Sequence, residues 1–335
     1  MQEPSNRISF GVLLICGFAA LAVMFLLALL FGAADSTLRD VWLALIGKPD
    51  GKASLLIREL RLPRELAALA VGAALAVAGA IMQGMTRNPL ADPGLLGLTA
   101  GANAMLAVVL AFLPGVGFLG IMTACFLGAA FGTLLVFGIG ALNRRGFSPL
   151  RLVLAGAAVS TLLTAVAEAI GITFRLSQEI SLWSAGGVIG TTWKELGAIT
   201  PFLAVGILIA LFFSRQLTVL SLSDEVASGL GQHTARVKSI LFLAIILLAG
   251  ASVALVGNLA FLGLMIPHIV RTVAGPDYRR IIPLSALTGA VFMLLADTVG
   301  RTINAPYETS VSAIVAMLGL PFFIWIVSKK GGGVT

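Results

Sequence analysis

Charged residues are scarce in this 335-residue chain, at 11% of the total. A soluble domain carries about 25%, and so small a supply cannot cover a surface that faces water. Hydrophobic residues make up 59% of the sequence, and the mean hydropathy is +1.04. This composition excludes a soluble enzyme and predicts an all-α, polytopic membrane protein.

Cysteine and histidine are also rare, with two of each. Cys16 and Cys125 lie in different apolar stretches and form no C-x-x-C pair, so we expect free thiols, no disulfide, no metal site and no cofactor. His268 lies in an apolar stretch, where a proton relay or a ligand is one hypothesis. Because no second metal-ligating residue lies near it in sequence, we favour a packing role. His233 falls in a loop and is expected to be solvated.

Stretches without charged residues predict ten membrane spans, since about 20 apolar residues cross a bilayer. Two stretches are long enough for two spans each, divided at Pro114-Gly115 and at Gly257-Asn258. The stretches are Ile8–Ala34, Leu66–Thr86, Pro93–Asn143, Leu152–Ala167, Leu196–Ser214, Ser239–Val270, Ile281–Ala296 and Thr309–Ser328.

An even number of spans places both termini on one side. Lys and Arg concentrate on that side once the segment between the first two spans is set aside, which predicts cytoplasmic termini. The net charge of +7 therefore reflects basic loops and does not indicate nucleic-acid binding. The segment between the first two spans is basic although it is predicted to lie outside, and this charge needs a separate explanation. Its Lys and Arg residues are Arg39, Lys48, Lys52, Arg58, Arg61 and Arg64.

Four motifs occur in a specific order. They are R-L-P-R at 61–64, Q-G-M-T-R-N-P-L-A-D-P at 83–93, G-L-M-I-P-H-I-V-R at 263–271 and G-L-P-F-F at 319–323. As an ordered set they resemble the permease subunits of ABC importers for iron-siderophores, haem and cobalamin, the FecCD/BtuC type. The resemblance covers the chain from about Arg61 to Lys330.

The resemblance implies a type II importer permease fold, with 1–335 as one transmembrane domain in a prokaryotic plasma membrane. Its implied partners are a second permease subunit (a copy or a different chain), two ATPase subunits and an extracytoplasmic siderophore-binding protein. No G-x-x-x-x-G-K-[ST] phosphate loop occurs in the chain, so ATP hydrolysis is assigned to a partner and the chain itself is not an enzyme. The favoured substrate is a ferric siderophore, with haem or cobalamin as alternatives.

A cytoplasmic segment at 221–236 matches the family's coupling helices, which contact the ATPase. Ser223 followed by two acids favours a helix start, and glycines predict a break between two short helices. The alternative is an ordinary solvated loop. The implied ATPase-contacting residues are Asp224, Glu225, Ala227, Leu230 and Gly231.

Two further sites follow from the resemblance. By position, Asn88 matches one cytoplasmic gate, where the two prolines of the 83–93 motif favour a rigid turn, and Ser148-Pro149 matches the second gate. The implied docking residues for the binding protein are Arg61, Arg64 and Arg301, and binding to anionic lipid headgroups is the alternative use of these cations.

Three acidic residues lie near the predicted outer ends of spans. We expect surface or helix-end charges, with pairing to Arg175 or Arg301 as the alternative. These acids are Glu168, Asp297 and Glu308. The last span also departs from the family, because Ser310 and Ser312 replace its usual proline and glycine.

A secondary transporter driven by protons or sodium is the competing hypothesis from another class. Such transporters place charged or polar coupling groups near the bilayer midplane. The predicted spans are nearly free of charge at that depth, which disfavours this hypothesis. A structural membrane protein without transport would leave the 221–236 segment unexplained.

Overall fold

The computed structural model describes residues 9–32, 36–48, 50–141, 149–305 and 307–331. For residues 140, 141, 149, 150 and 325–331 it describes the backbone only. The described residues form helices without strands. In chain order the α-helices are α1 (Phe10–Leu30), α2 (Leu38–Leu45), α3 (Lys52–Leu56), α4 (Leu62–Thr86), α5 (Leu98–Phe112), α6 (Phe118–Ala141), α7 (Pro149–Thr173), α8 (Ser177–Ser184), α9 (Trp193–Phe212), α10 (Ser214–Leu220), α11 (Asp224–Gly229), α12 (Thr234–Ile245), α13 (Ala251–Val256), α14 (Leu262–Ala274), α15 (Tyr278–Thr302) and α16 (Val311–Gly331).

In the described part of the chain, ten apolar helices follow the ten predicted spans in order, with α12 and α13 counted as one. Seven of them are long and apolar enough to cross a membrane, and Leu98–Phe112, Leu262–Ala274 and Val311–Ile324 are shorter. Turns of π-helix join α3 to α4 and α12 to α13 into continuous rods. The all-α membrane fold is therefore confirmed, as are the breaks at Pro114-Gly115 and Gly257-Asn258.

Side-chain caps define several helix starts. Thr192 and Glu195 form a capping box at α9, in which each side chain bonds the other residue's main-chain N–H. The Ser223 hydroxyl accepts from Val226 N at 3.0 Å to begin α11, and Asp277 caps α15 in the same way. Each cap satisfies a donor that the first helical turn leaves without a partner.

Helix α4 is the central element and is buried along most of its length. A Cβ on Gly72 would clash with the backbone of Gly289 in α15, and one on Gly79 would clash with Gly263 in α14. These glycines permit close helix approach, as small residues do between helices in lipid. Gly72 and Gly79 are therefore packing positions between helices.

Helices α4 and α15 run antiparallel, which defines two ends of the bundle. Arg64 near the start of α4 meets Asp297 near the end of α15, while Gly84 lies against Tyr278 at the other end of the pair. We call the first the arginine end. The second is the α11 end, because α10 packs there against α4 and leads into α11.

Candidate functional site

The three predicted docking arginines belong to one buried cluster at the arginine end. We call it the arginine–carboxylate cluster. Its three cations face three acids, so the formal charges balance. The members are Arg61, Arg64, Glu65, Asp297, Arg301 and Glu308.

Asp297 lies at the centre of the cluster with a fully buried side chain. It accepts from Arg64 Nη2 at 2.9 Å and lies 3.0 Å from Arg301 Nε. Arg301 also pairs with Glu65, whose side chain is likewise fully buried. The expectation of a surface charge at Asp297 is therefore wrong, and the alternative of pairing with Arg301 is correct.

Arg61 and Arg301 also donate hydrogen bonds to main-chain carbonyls at the C-terminal end of α1. Arg61 Nη1 donates to the carbonyl of Leu29 at 2.8 Å and to the Ser36 hydroxyl at 2.6 Å. Arg301 Nη2 donates to the carbonyl of Ala28 at 3.2 Å. Cations are favourable at a helix C-terminus, where carbonyls lack partners. In this conformation both arginines are only 5–6% exposed and already bonded within the chain, and their contact with a binding protein stays a prediction.

Arg64 is the cluster arginine with a partly accessible partner. Its Nη1 and Nη2 atoms donate to the two carboxylate oxygens of Glu308 at 2.8 and 3.0 Å. The Arg64 side chain is 12% exposed and that of Glu308 is 34% exposed. Glu308 thus pairs with Arg64 and with neither Arg175 nor Arg301, while Glu168 is exposed as expected.

The α11 end presents a different surface. Helix α11 ends at Gly229, and Gly231 has a φ of +79°, so the predicted glycine break is confirmed. The expectation of a second short helix is wrong, because the helix after the break is α12, which begins at Thr234 and continues into α13. The Leu230 side chain is 70% exposed, and Leu222 and Val226 are exposed beside it. An apolar strip beyond the spans is what a protein partner could cover.

The other residues predicted to contact the ATPase divide into exposed and engaged positions. Glu225 is exposed, and hydrogen bonds from its own main-chain N–H and from the Ser223 hydroxyl lower the pKa of its carboxyl group. Asp224 pairs with Lys238 Nζ at 2.7 Å. Ala227 is fully buried and packs within the chain, and its contact with the ATPase stays a prediction.

The predicted rigid turn follows α4. Asn88 Oδ1 accepts from Leu90 N at 3.0 Å, and Asp92 Oδ1 accepts from Gly94 N at 2.7 Å. Side chains that bond main chain two residues on fix such turns. Burial raises the pKa of Asp92 despite the Gly94 hydrogen bond. Of the second predicted gate, Ser148 lies outside the described residues and Pro149 begins α7.

This turn borders a cavity of about 620 Å³ within the bundle. The lining is mainly apolar, with polar groups such as Thr99, Asn103 and Asn258, and it extends from Leu90 and Asp92 to Phe323 of α16. The Ser184 hydroxyl donates to Asn103 Oδ1 at 3.1 Å. A volume of this kind inside the bundle could hold a solute.

Sequence reasoning missed a polar junction inside the α11 end. Gln83 Nε2 donates to the carbonyl of Leu264 at 3.0 Å, and Arg271 Nη2 donates to Gln83 Oε1 at 3.1 Å and to the Tyr278 hydroxyl at 2.9 Å. Gln83 begins one of the quoted motifs and Arg271 ends another, and their place in those motifs was the signal that sequence reasoning could have used. His268 packs its ring against Phe322, in line with the expected packing role.

Comparison with known proteins decides the family. The profile of the FecCD transport family matches residues 20–329. The chain belongs to this family. A solved structure described as an inward-facing conformation of a putative metal-chelate type ABC transporter superposes with a TM-score of 0.83 at 28% identity, covering 96% of this chain and 100% of the other.

Two relatives indicate the range of cargo within the family. The iron(3+)-hydroxamate import permease FhuB of Bacillus subtilis is 45% identical, over 99% of this chain and 87% of its own length. The cobalamin import permease BtuC of Halobacterium salinarum is 38% identical, over 83% of this chain and 74% of its own length. This FecCD-family chain is thus a multi-pass membrane protein and the permease subunit of a metal-chelate type ABC importer.

Proposed function

We propose that this permease passes a ferric siderophore of the hydroxamate class into the cytoplasm. The observation that carries the proposal is the 45% identity to the iron(3+)-hydroxamate permease over nearly the whole chain. The cavity lining agrees with such a cargo, because it combines an apolar wall with neutral polar groups, and Asp92 is the one charged side chain among the described lining residues. A ferric trihydroxamate carries no net charge at the iron centre, so no cation is needed to hold it.

The proposed mechanism is alternating access. A second permease subunit completes the pathway, and a loaded binding protein docks at the arginine end, which faces the outside. Two ATPase subunits bind at the α11 end on the cytoplasmic side, where the termini also lie. The exposed strip formed by Leu222, Val226 and Leu230 supports the ATPase contact, since its burial in an interface would remove apolar surface from water.

Docking at the arginine end is proposed to use Arg64 through an exchange of carboxylates. Glu308 occupies the outward side of the Arg64 guanidinium and is itself partly exposed. A carboxylate of the binding protein could replace Glu308 while Asp297 stays in place, since a guanidinium group can donate two hydrogen bonds to one carboxylate. Arg61 and Arg301 would then support docking by holding the cluster together instead of touching the partner.

The substrate proposal is tested in cells of the source organism that lack this chain. Under iron limitation these cells should fail to grow on a ferric trihydroxamate and recover when the chain is restored. Growth on free iron, haem and cobalamin should be unchanged. Failure only with cobalamin or only with haem would leave the family assignment intact and overturn the substrate.

A further inference from the structure

Three chain segments meet at the arginine end beside the cavity. They are residues 185–188 after α8, residues 257–261 between α13 and α14, and residues 308–312 before and into α16. The main-chain N–H of Gly187 donates to the carbonyl of Val256 at 2.8 Å. The Ser310 hydroxyl donates to the carbonyl of Ala185, and the Ser312 hydroxyl donates to that of Asn258 at 2.7 Å.

The first two segments have irregular backbone. Gly186 has a φ of +73° and Gly257 a φ of +72°, in the left-handed region that favours glycine. Their approach is close, since a Cβ on Gly257 would lie 2.5 Å from the carbonyl oxygen of Trp183. Carbonyls in such segments lack a regular helical partner, so side-chain donors must satisfy them.

The middle segment is also part of the cavity wall. Asn258, Leu259, Ala260 and Phe261 all line the cavity, and α16 contributes Phe323 to the same lining. Any displacement of residues 257–261 away from α16 would therefore change the cavity at this end. The two serine hydroxyls resist that displacement, because each joins α16 or its approach to one of the other two segments.

We infer that Ser310 and Ser312 are positioning residues for transport, whose hydroxyls hold the outer side of the cavity closed until the transporter opens outward. The inference rests on the proposed function, which makes the arginine end the outer end. Proline and glycine, which the family usually has at these positions, offer no side-chain donor. Where proline and glycine would give α16 a rigid start, the two serines instead give this chain hydrogen bonds that hold the three segments together.

A reversible crosslink tests whether the segments must separate. A Cβ on Gly186 would lie 3.4 Å from the Ser312 Cβ, close to the 3.5–4.5 Å typical of a disulfide. The Gly186→Cys/Ser312→Cys variant is made with Cys16→Ala, since Cys16 is exposed and Cys125 is buried. It is reconstituted in proteoliposomes with both ATPases, the partner permease and the binding protein.

Oxidation should lower ATP-driven uptake of labelled ferric trihydroxamate more than tenfold, and a thiol reductant should restore it. The two single-cysteine variants should not respond to oxidant. Equal uptake before and after oxidation, with the disulfide verified by mass spectrometry, would overturn the inference. Absence of ATP-driven uptake by the wild-type complex would instead overturn the proposed function.

A second series of variants, at the serines themselves, tests the inference even if cysteine at position 186 prevents folding. Ser310→Ala and Ser312→Ala should each increase ATP-independent leak of the labelled siderophore by about fivefold, the effect of losing one hydrogen bond. Ser310→Thr and Ser312→Thr, which keep the hydroxyl, should leak like wild type. Alanine favours helix, so a role in helix stability alone predicts no leak for Ser312→Ala. Ser239→Ala is the matched control, because that hydroxyl bonds Ala235 within its own helix. Leak at control level in both alanine variants would contradict the closure.

Discussion

At the arginine end, six charged side chains form a cluster that is largely buried apart from Glu308, whereas at the α11 end an apolar strip faces outward. The buried charges include Asp297 and Glu65, which are fully shielded from solvent. The exposed strip includes Leu230, which is 70% exposed. The charges at the arginine end thus hold helices of this chain together, while the exposed apolar surface at the α11 end is available to a partner.

The largest expected effect on stability comes from removing the negative charge at the centre of the arginine–carboxylate cluster. Asp297→Asn should destabilise the protein by about 3–5 kcal/mol, because it leaves buried guanidinium groups without full compensation. Thermal unfolding in detergent, followed by loss of the monodisperse peak, measures the change. Glu59→Gln is the control, since that side chain is half exposed and its nearest cation is 3.9 Å away. Equal midpoints for Asp297→Asn and Glu59→Gln would show that the cluster does not hold the arginine end together.

The next largest effect is expected from a substitution in the apolar strip, which should weaken assembly with the ATPase and leave folding unchanged. Leu230→Asp should leave thermal unfolding of the isolated chain unchanged, because the side chain is already exposed. Copurification with the ATPase should weaken about 30-fold, the loss of roughly 2 kcal/mol expected at a central interface residue. Leu38→Asp, at a residue 63% exposed on α2 at the arginine end, should copurify normally. A normal yield of ATPase with Leu230→Asp would contradict the assignment of this strip.

The proposed exchange at Arg64 predicts a gain in affinity. Glu308→Gln replaces a charged acceptor by a neutral one and weakens the internal competitor by about 1 kcal/mol. Binding protein should then dock about fivefold more tightly to purified transporter, as measured by surface plasmon resonance. Reversal of charge with Arg64→Glu is a poorer probe, since it would place a third acid beside Asp297 and Glu308. Unchanged or weaker docking of Glu308→Gln would indicate that Arg64 stays an internal residue.

The smallest effect is expected for the ion pair at the α11 end. Asp224→Asn removes the same charge as Asp297→Asn, but the Asp224 side chain is 34% exposed and solvent screens its pair with Lys238. We expect a loss of at most about 1 kcal/mol in the unfolding assay. A loss as large as that of Asp297→Asn would erase the distinction between the two ends.

Much of the fold could be predicted from hydropathy alone. The spans, the breaks at Pro114-Gly115 and Gly257-Asn258 and the cap at Ser223 depend on local sequence, and the structure has each of them. The start of α11 needs only a side-chain oxygen and a few following residues. Local rules suffice for features that local interactions create.

The partners of the charged side chains could not be predicted in the same way. Arg64 bonds Asp297 across 233 positions of sequence, and Arg301 pairs with Glu65 across 236. Only the antiparallel packing of α4 on α15 brings these groups together. The basic segment before α4 therefore has a use besides the predicted docking or lipid binding, because Arg61 and Arg64 bond residues of α1 and α15.

ATP-driven uptake of a labelled ferric trihydroxamate by proteoliposomes that hold the whole complex tests the central claim most directly. The account predicts uptake that requires ATP on the α11 side and binding protein on the arginine side. It also predicts loss of that uptake in Leu230→Asp, although the isolated chain still folds. Uptake by this chain alone, driven by a proton or sodium gradient without ATP, would contradict the account and favour a secondary transporter.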